Sequence, residues 1–327
     1  MIKNLTIHNF KSIKELSISC NRVNVFIGEP NTGKSNLLES IGLLSGLGQG
    51  RLNEFVRFTN ITDLFHFFDI GKDIHIKNDE ITITFKNELE RDTFKVMLEG
   101  APILSEISIG GYGMDGKIWS QDNQTEREKM LKKYKFYKFQ MIDKFERQPI
   151  NYLYPPIGKN LSTVILTNSE LREQITSMFN VFGYQFIIEE PQRSIKFLLQ
   201  TENLNLLIPY NLLSDTLQRM IFYLTAIYSN KESIIVFNEP ESNAFPYYTR
   251  LLAETIAHDS HNQYFISTHN PYFLITLIEK CKQNDIGVFI TYVKNYVTKV
   301  RKLQDDELPD ILSQAKDPFF NINSYIK

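Results

Sequence analysis

The chain has 327 residues, of which 42% are hydrophobic and 23% charged, and its formal net charge at pH 7 is −2. These values are ordinary for a globular protein, so they exclude an intrinsically disordered chain and give no overall electrostatic reason to expect polyanion binding. The length is sufficient for one elaborated domain or for two.

The two cysteines, Cys20 and Cys281, are far apart and form no Cys-x-x-Cys pair. This arrangement excludes a zinc knuckle and a disulfide framework, and it fits a reducing compartment. The amino-terminal residues alternate in polarity, and the sequence has no run of eighteen apolar residues. We therefore expect a cytoplasmic protein without a signal peptide or a membrane span.

The first 27 residues predict three strands. Ile2–His8 and Glu15–Cys20 alternate between apolar and polar residues, whereas Val23–Ile27 is apolar except for Asn24 and is expected to be buried in a sheet. Phe10 is interpreted as a core aromatic at the end of a strand rather than as a ligand-binding residue.

The third strand leads into a glycine-containing turn and then into a predicted helix at residues 36–45. Gly28 and Gly33 set the spacing Gly-x-x-x-x-Gly-Lys-Ser, in which backbone N–H groups turn inward around phosphates. Lys34 is expected to neutralise phosphate charge during catalysis, and Ser35 to ligate Mg²⁺. The residues predicted to bind nucleotide are Gly28, Glu29, Pro30, Asn31, Thr32, Gly33, Lys34, Ser35 and Asn36.

A flexible glycine-rich exit is predicted after this helix, at residues 45–50. A period of two then predicts a hairpin at residues 74–85, turning at Asn78-Asp79. Further strands are predicted near residues 93–98, 103–109 and 116–119, and we expect these strands to form an antiparallel layer separate from any parallel sheet.

The segment Glu126–Phe139 alternates five lysines with four aromatic residues. Such a segment could bind single-stranded nucleic acid through its charges and stacking rings. It could equally be an amphipathic element with its aromatics packed inward and its lysines solvated, and the balanced total charge favours this second interpretation.

A helix is predicted at about 169–182, with Asn168 or Ser169 as its N-cap and Gly183 as its stop. Strands are predicted near residues 184–189, 194–199 and 205–209, and a terminal hairpin around residues 294–296.

Two later strands end in polar residues. Ser214 is predicted to cap an apolar helix, and the apolar strand after that helix ends in Asn238-Glu239-Pro240-Glu241. Another apolar strand ends in Ser-Thr-His269. Because the water-activating groups of phosphate-loop proteins emerge at the carboxyl ends of such strands, Glu239 is predicted to be the general base and His269 to contact the γ-phosphate or the attacking water.

Taken in this order, the motifs resemble those of ATP-binding-cassette (ABC) type ATPases, in the soluble branch with SMC, RecF, Rad50 and OLD-like proteins, also called AAA_21-like. Phe10–Ile13 resembles the N-terminal strand motif of this branch and Gly28–Asn36 its Walker A motif. Ser214–Arg219 resembles the signature helix, Ile234–Glu241 the Walker B strand and Phe265–His269 the strand of the switch histidine.

The resemblance implies an α/β fold, that of a P-loop NTPase of the ABC-ATPase type, with a mixed or parallel central sheet, an antiparallel β layer and an inserted helical region. It implies a single elaborated domain, in which residues 1–50 and 205–327 form the nucleotide-binding core and residues 51–204 an inserted subdomain. It further implies ATP and Mg²⁺ as ligands, ATP hydrolysis, a head-to-tail homodimer with Ser214 at the opposite nucleotide, and regulation of a protein partner. A DNA-associated role of the RecF kind is left open.

Some residues depart from the pattern of this branch. Asn238 stands where an acidic residue usually helps to hold Mg²⁺. The expected metal ligands are therefore Ser35 and, weakly, Asn238. Because Asn238 lacks a charge, slow hydrolysis or a nucleotide-gated binding module is an alternative function. Glu241 could replace the missing acid or cap the loop. Asp215 and Thr216 stand where the signature has glycines.

Gln140 and Gln148 are the two candidates for the Q-loop glutamine. The sequence has no long heptad insertion and only a short segment after His269, so neither coiled-coil arms nor an appended nuclease domain are expected.

Overall fold

The computed structural model describes residues 1–88, 93–100, 103–109, 118–119, 124–189, 192–312, 319 and 322–326. The strands are β1 Asn4–Phe10, β2 Ile13–Ser19, β3 Val23–Ile27, β4 Ile74–Asn78, β5 Thr82–Glu88, β6 Thr93–Gly100, β7 Ile103–Ile109, β8 Ile118–Trp119, β9 Tyr134–Tyr137, β10 Tyr184–Glu189, β11 Ser194–Gln200, β12 Asn205–Pro209, β13 Ile234–Asn238, β14 Gln263–Ser267, β15 Ile286–Lys294 and β16 Val297–Lys302. The helices are α1 Lys34–Gln49, α2 Gln124–Leu131, α3 Leu161–Thr167, α4 Ser169–Asn180, α5 Asp215–Ser229, α6 Pro246–His258, α7 Pro271–Lys280 and α8 Leu308–Leu312.

The central sheet has six strands in the order β16-β15-β3-β14-β13-β9. The neighbours from β15 to β9 are parallel, and β16 pairs antiparallel with β15 at the edge. Strand β3 is therefore enclosed by two parallel neighbours, as its predominantly apolar sequence predicts. Val23, Val25 and Ile27 pack into one core and Phe26 into the core on the opposite face. The predicted mixed, largely parallel central sheet is confirmed.

A second sheet of seven strands has the order β2-β1-β4-β5-β6-β7-β8, and all its pairs are antiparallel. This is the predicted antiparallel layer, and the hairpin turns where predicted because Asn78 Oδ1 accepts hydrogen bonds from the N–H groups of Glu80 and Ile81 at 2.9 and 3.0 Å. Strands β1 and β2 lie in this layer, whereas β9 lies in the central sheet. Each sheet thus combines strands from residues 1–50 or 205–327 with strands from residues 51–204.

Helix α1 packs between the two sheets and is buried on nearly all sides. The helix predicted at 36–45 is longer, because the expected glycine-rich exit is part of it. Gly48 lies inside the helix, where a Cβ atom would come 2.9 Å from Leu131 Cβ, so the missing side chain allows close packing. The helix ends at Gly50, whose φ of +74° suits glycine.

The other face of the central sheet is covered by helices and by a small antiparallel sheet in the order β10-β11-β12. Asn168 caps α4, since its side chain accepts a hydrogen bond from Leu171 N at 3.0 Å. Ser214 caps α5 in the same way, with Leu217 N as the donor at 3.4 Å. Both caps lie where the sequence predicts them.

The lysine and aromatic segment ends in strand β9. Tyr134, Phe136 and Tyr137 are buried, as the amphipathic interpretation predicts. Lys135 is buried as well, which corrects the expectation that these lysines are all solvated. The reason is that its ammonium group lies under the ring of Tyr152.

Cys20 is half-buried and Cys281 buried, and both are free thiols. In the part of the chain that the structure describes, no helix has the combination of length and apolar character that crossing a bilayer requires.

Candidate nucleotide-binding site

The turn between β3 and α1 is pressed against the β15–β16 hairpin. A Cβ atom at Gly28 would lie 2.3 Å from Thr291 O, and one at Gly33 would lie 2.1 Å from Thr298 Oγ1. Gly33 also has a left-handed φ of +97° as the N-cap of α1. Only glycine fits at either end of this turn, so its backbone stays open to a phosphate group.

Lys34 bends back over the turn that precedes it. Its Nζ donates hydrogen bonds to Gly28 O at 2.7 Å and Glu29 O at 2.8 Å. Burial lowers the pKa of Lys34 to about 8, although the nearby Glu239 carboxylate opposes this effect. The amine therefore lies inside the turn, where it would meet the charge of a bound phosphate.

Hydroxyl groups that sequence reasoning did not identify hold this turn in place. Thr32 Oγ1 donates to Glu29 O at 2.8 Å and lies 2.8 Å from Thr291 Oγ1, while Thr298 Oγ1 donates to Thr32 O at 3.1 Å. Thr291 and Thr298 lie about 260 residues beyond the turn, and a threonine in a strand carries no sequence signal for such a role.

Ser12 also supports the turn. Its hydroxyl lies 2.7 Å from Thr298 Oγ1 and accepts a hydrogen bond from Asn36 Nδ2 at 2.7 Å. Ser12 is part of the N-terminal strand motif Phe10–Ile13, which was the one signal that pointed towards it. Phe10 is fully buried, which confirms its interpretation as a core residue.

Ser35 and Asn238 come together across the central sheet. Asn238 Oδ1 lies 3.4 Å from Ser35 Oγ and accepts a hydrogen bond from Ser267 Oγ at 2.7 Å. Both residues offer neutral oxygen atoms, which suit a hard cation such as Mg²⁺ when phosphate oxygens supply the negative charge. No cluster of three or more His, Cys, Asp or Glu side chains in the described residues offers a competing metal site.

Glu239 and His269 meet at the tips of β13 and β14. His269 Nε2 lies 3.4 Å from Glu239 Oε1, and each side chain is 39% exposed, so water can reach both. Glu239 has a left-handed φ of +50°, and its N–H donates to Ser267 O at 3.0 Å. Strained non-glycine residues of this kind concentrate at functional sites.

The charge state of the histidine follows from its surroundings. Burial and the neighbouring Lys34 lower the pKa of His269 below 6.5, and Glu239 only partly opposes this. At neutral pH the imidazole is therefore mostly neutral, so it interacts with Glu239 as a polar group rather than as a cation.

Glu241 lies beneath this pair and is buried. Thr268 Oγ1 donates a hydrogen bond to its Oε1, whereas its Oε2 has no hydrogen-bond partner in the described part of the chain. Burial raises the pKa of Glu241 to about 7. Of the two roles that the sequence left open, these contacts favour the structural one, in which Glu241 joins the loops after β13 and β14.

Ser214 is exposed at the start of α5. Asp215 pairs with Arg219 one turn further along the same helix, at 2.6 Å, so its charge is balanced within α5. Thr216 Oγ1 donates to Asn243 O at 2.8 Å and thereby ties α5 to the loop after β13.

The two glutamine candidates lie in different settings. Strands β9 and β13 are parallel neighbours, with Tyr137 opposite Phe237. Gln140 comes three residues after the end of β9, and so follows the same edge of the sheet as Asn238, which ends β13. Gln148 Nε2 instead donates to Glu146 Oε2 at 3.3 Å. The topology favours Gln140.

Two family models match parts of this chain, and solved structures resemble it. Residues 152–275 match the AAA_21 family, described as "AAA domain, putative AbiEii toxin, Type IV TA system", and residues 1–97 match DUF2813, a family of proteins of unknown function. An SMC head solved with the C-winged helix domain of ScpA is 14% identical, with a TM-score of 0.56 over 93% of this chain and 97% of that one. The SMC head domain from Thermotoga maritima is 13% identical, with a TM-score of 0.45 over 93% of this chain and 99% of that one.

At 14% identity, the likeness to the ScpA-bound SMC head shows the fold, which is that of a P-loop NTPase. The AAA_21 match covers the segments that resemble a signature helix, a Walker B strand and a switch-histidine strand. Together, the family match and the fold support the resemblance of this chain to the ABC-type ATPases of the SMC, RecF and OLD-like branch.

Proposed function

We propose that this protein binds Mg·ATP at Gly28–Asn36 and hydrolyses it. The observation that carries the proposal is the convergence of three strand ends on one edge of the central sheet: Lys34 and Ser35 follow β3, Asn238 ends β13 with Glu239 directly after it, and His269 follows β14.

In the proposed reaction, backbone N–H groups of the turn and Lys34 bind the phosphates, which positions them and balances their charge. Ser35 and Asn238 would hold Mg²⁺, which would supply further charge neutralisation. Glu239 orients a water molecule and accepts its proton, and the neutral His269 is available as a hydrogen-bond donor to the γ-phosphate or the water.

Two substitutions test this assignment. Lys34→Ala should weaken ATP binding by at least about tenfold, since a charged contact to phosphate is lost. Glu239→Gln should retain binding and lose turnover by about a hundredfold or more, because the amide cannot act as a base. Normal hydrolysis by Glu239→Gln, measured as phosphate release, would rule out Glu239 as the base.

A second candidate function is a nucleotide-gated binding module with little turnover. It is favoured by Asn238, whose amide oxygen already accepts a hydrogen bond from Ser267 and which carries no charge to attract Mg²⁺. Asn238→Asp separates the two functions. A large increase in the rate of phosphate release would show that the native residue favours ATP retention, whereas an unchanged rate would support the active hydrolase.

The proposal includes a head-to-tail homodimer in which Ser214 reaches the nucleotide of the second copy. Apolar residues near this end of α5 are unusually exposed: the exposed fractions are 66% for Phe245, 64% for Tyr247 and 83% for Val181. They line an open cleft of about 800 Å³ together with Ser214. Exposed apolar patches of this kind are typical of protein contact surfaces.

We further propose that ATP-dependent dimerisation regulates a protein partner in the cytoplasm. The SMC head with a similar fold was solved with a bound ScpA domain, and the two free thiols fit a reducing compartment. The test is co-purification from cells of Glu239→Gln protein, with Lys34→Ala as the control that binds ATP more weakly. Partners retained equally by both variants would contradict nucleotide-dependent regulation.

A further inference from the structure

A second polar cleft lies at the amino-terminal edge of the central sheet, opposite the edge that carries the phosphate loop. It is bordered by Lys133 and Ser233, which immediately precede β9 and β13. Since these strands have four and five residues, the two edges are about 15 Å apart. The cleft has a volume of about 740 Å³, within the range of small-molecule sites.

The charges around this cleft are mainly positive. Five lysines line it, Lys129, Lys132, Lys133, Lys135 and Lys231, against two carboxylates, Glu170 and Glu232. Lys133 is paired with Glu80. Lys132 and Lys231 are exposed at the rim, where they could contact an anion. The chain as a whole has a net charge of −2, so this concentration of lysines is local.

Lys135 is the unusual member of the set. The residue is 2% exposed, and its Nζ has no hydrogen-bond partner in the described part of the chain. Lys135 Nζ lies 3.4 Å from the ring centroid of Tyr152, a contact that leaves its N–H donors unused. Burial and the nearby charge of Lys132 lower the pKa of Lys135 well below its usual value. A buried donor without an acceptor is costly, and a bound anion would remove that cost.

The walls of the cleft include a helix N-terminus, which favours an anion, and residues that are held in place by hydrogen bonds. The start of the 12-residue helix α4 borders the cleft through Asn168 and Ser169 and presents the positive end of the helix dipole. The opposite wall is fixed by Ser229 and Asn230: Ser229 Oγ accepts from Leu153 N at 2.9 Å, and Asn230 Nδ2 donates to the hydroxyl of Tyr137 at 2.7 Å.

We propose that this cleft binds a small phosphate-bearing polyanion, either inorganic polyphosphate or the phosphate chain of a nucleotide, with Lys135 as the buried anchor and Lys132 and Lys231 as flanking cations. A small ligand fits better than a nucleic-acid duplex because Lys135 lies beneath the surface, where a duplex cannot reach. The site is separate from the ATP site and does not depend on hydrolysis there.

Calorimetric titration tests the proposal with metal-free inorganic tripolyphosphate and, separately, with ATP in EDTA. Lys34→Ala protein is used so that the phosphate loop does not dominate the signal. We expect saturable binding, at least tenfold weaker when Lys135→Met is added and several-fold weaker when Lys132→Ala and Lys231→Ala are added together. Lys14→Met, at an exposed position outside the cleft, should not change the affinity.

The outcomes separate the ligands. Equal affinities for tripolyphosphate and ATP would show that the cleft recognises phosphate alone, and tighter ATP binding would add recognition of the nucleoside. Lack of binding by both, or an unchanged affinity in Lys135→Met, would overturn the proposal. Binding of a single-stranded oligonucleotide but of neither small anion would also overturn it. If Lys135→Met does not fold, the Lys132→Ala/Lys231→Ala protein decides, since both residues are exposed.

Discussion

At the residue scale, Lys34 combines a buried position with a charge that a phosphate ligand would require. Its pKa is lowered to about 8 by burial, so the free protein loses this proton as the pH rises through that value. A bound phosphate chain favours the protonated amine. ATP affinity should therefore fall as the pH rises above about 8, and binding there should take up a proton.

This prediction can be measured by calorimetric titration of ATP between pH 7 and 9.5 in buffers of different ionisation enthalpy. Lys34→Arg serves as the control, because a guanidinium stays charged over this range. The loss of affinity should disappear in that variant. An equal pH dependence in both proteins would show that another group is responsible.

Glu241 leads to a prediction about the stability of the fold rather than about ligand affinity. Burial raises its pKa to about 7 from 4.5, so between these pH values the folded state keeps a proton that the unfolded state has lost. The free energy of unfolding should therefore decrease as the pH rises from about 4.5 to 7, by roughly 1–3 kcal/mol from this residue.

Glu241→Gln should remove that part of the pH dependence, because the amide does not titrate. Chemical denaturation at several pH values between 4.5 and 8 would measure it, with Glu15→Gln at an exposed position as the control that keeps the wild-type slope. If the free energy of unfolding of Glu241→Gln changes with pH as much as that of the wild type, the Glu241 carboxyl does not cause the pH dependence.

At the scale of elements, helix α1 has a left-handed glycine at each end, but the two glycines lie in different surroundings. Gly33 is in contact with Thr298, whereas a Cβ atom at Gly50 would meet no heavy atom within 4 Å. Gly50→Ala should therefore cost only the backbone strain, about 1–2 kcal/mol. Gly33→Ala should cost more, and it should also lose ATP affinity because the turn must shift away from the hairpin.

Unfolding by denaturant and ATP titration of both variants would measure the difference. The comparison is matched, since the two substitutions add the same methyl group at positive φ. Equal losses of stability, with ATP binding intact in both, would contradict the importance of the contact between the turn and the β15–β16 hairpin.

At the scale of the whole molecule, the proposed dimer places Ser214 against the phosphates of a second copy. Ser214→Asp should retain the helix cap, because aspartate caps as well as serine, but it should introduce repulsion towards a bound phosphate. In ATP, light scattering should show that the Glu239→Gln protein is a dimer and that the Glu239→Gln protein with Ser214→Asp added is a monomer. Ser214→Asn, a neutral cap, should stay dimeric.

Monomer stability and ATP binding should be the same in all three proteins, which distinguishes this effect from unfolding. Dimerisation of Ser214→Asp in ATP would show that Ser214 does not face the opposite nucleotide. ADP should leave every variant monomeric, since it lacks the γ-phosphate that would bridge the two copies.

Some features of the fold and of the candidate ATP site could be predicted from the sequence, and others could not. The phosphate turn, the caps at Asn168 and Ser214, and the antiparallel layer depend on local spacing and periodicity, so they were predictable. The length of α1 was not, because Gly48, of a residue type that usually ends a helix, here lies inside the helix and is required by packing against Leu131. Likewise, the hydroxyls of Thr291 and Thr298 reach the turn only through strand pairing over long sequence separations.

By itself, the sequence determined which residues are candidates for phosphate chemistry, since the Gly-x-x-x-x-Gly-Lys-Ser turn and the polar strand ends are local patterns. Only the tertiary structure decided that Glu241 and Lys135 are buried. Both are ordinary charged residues in the sequence, but burial leaves Glu241 Oε2 and Lys135 Nζ without hydrogen-bond partners among the described residues. The physical reason is that desolvation depends on what packs around a charge, which no local pattern specifies.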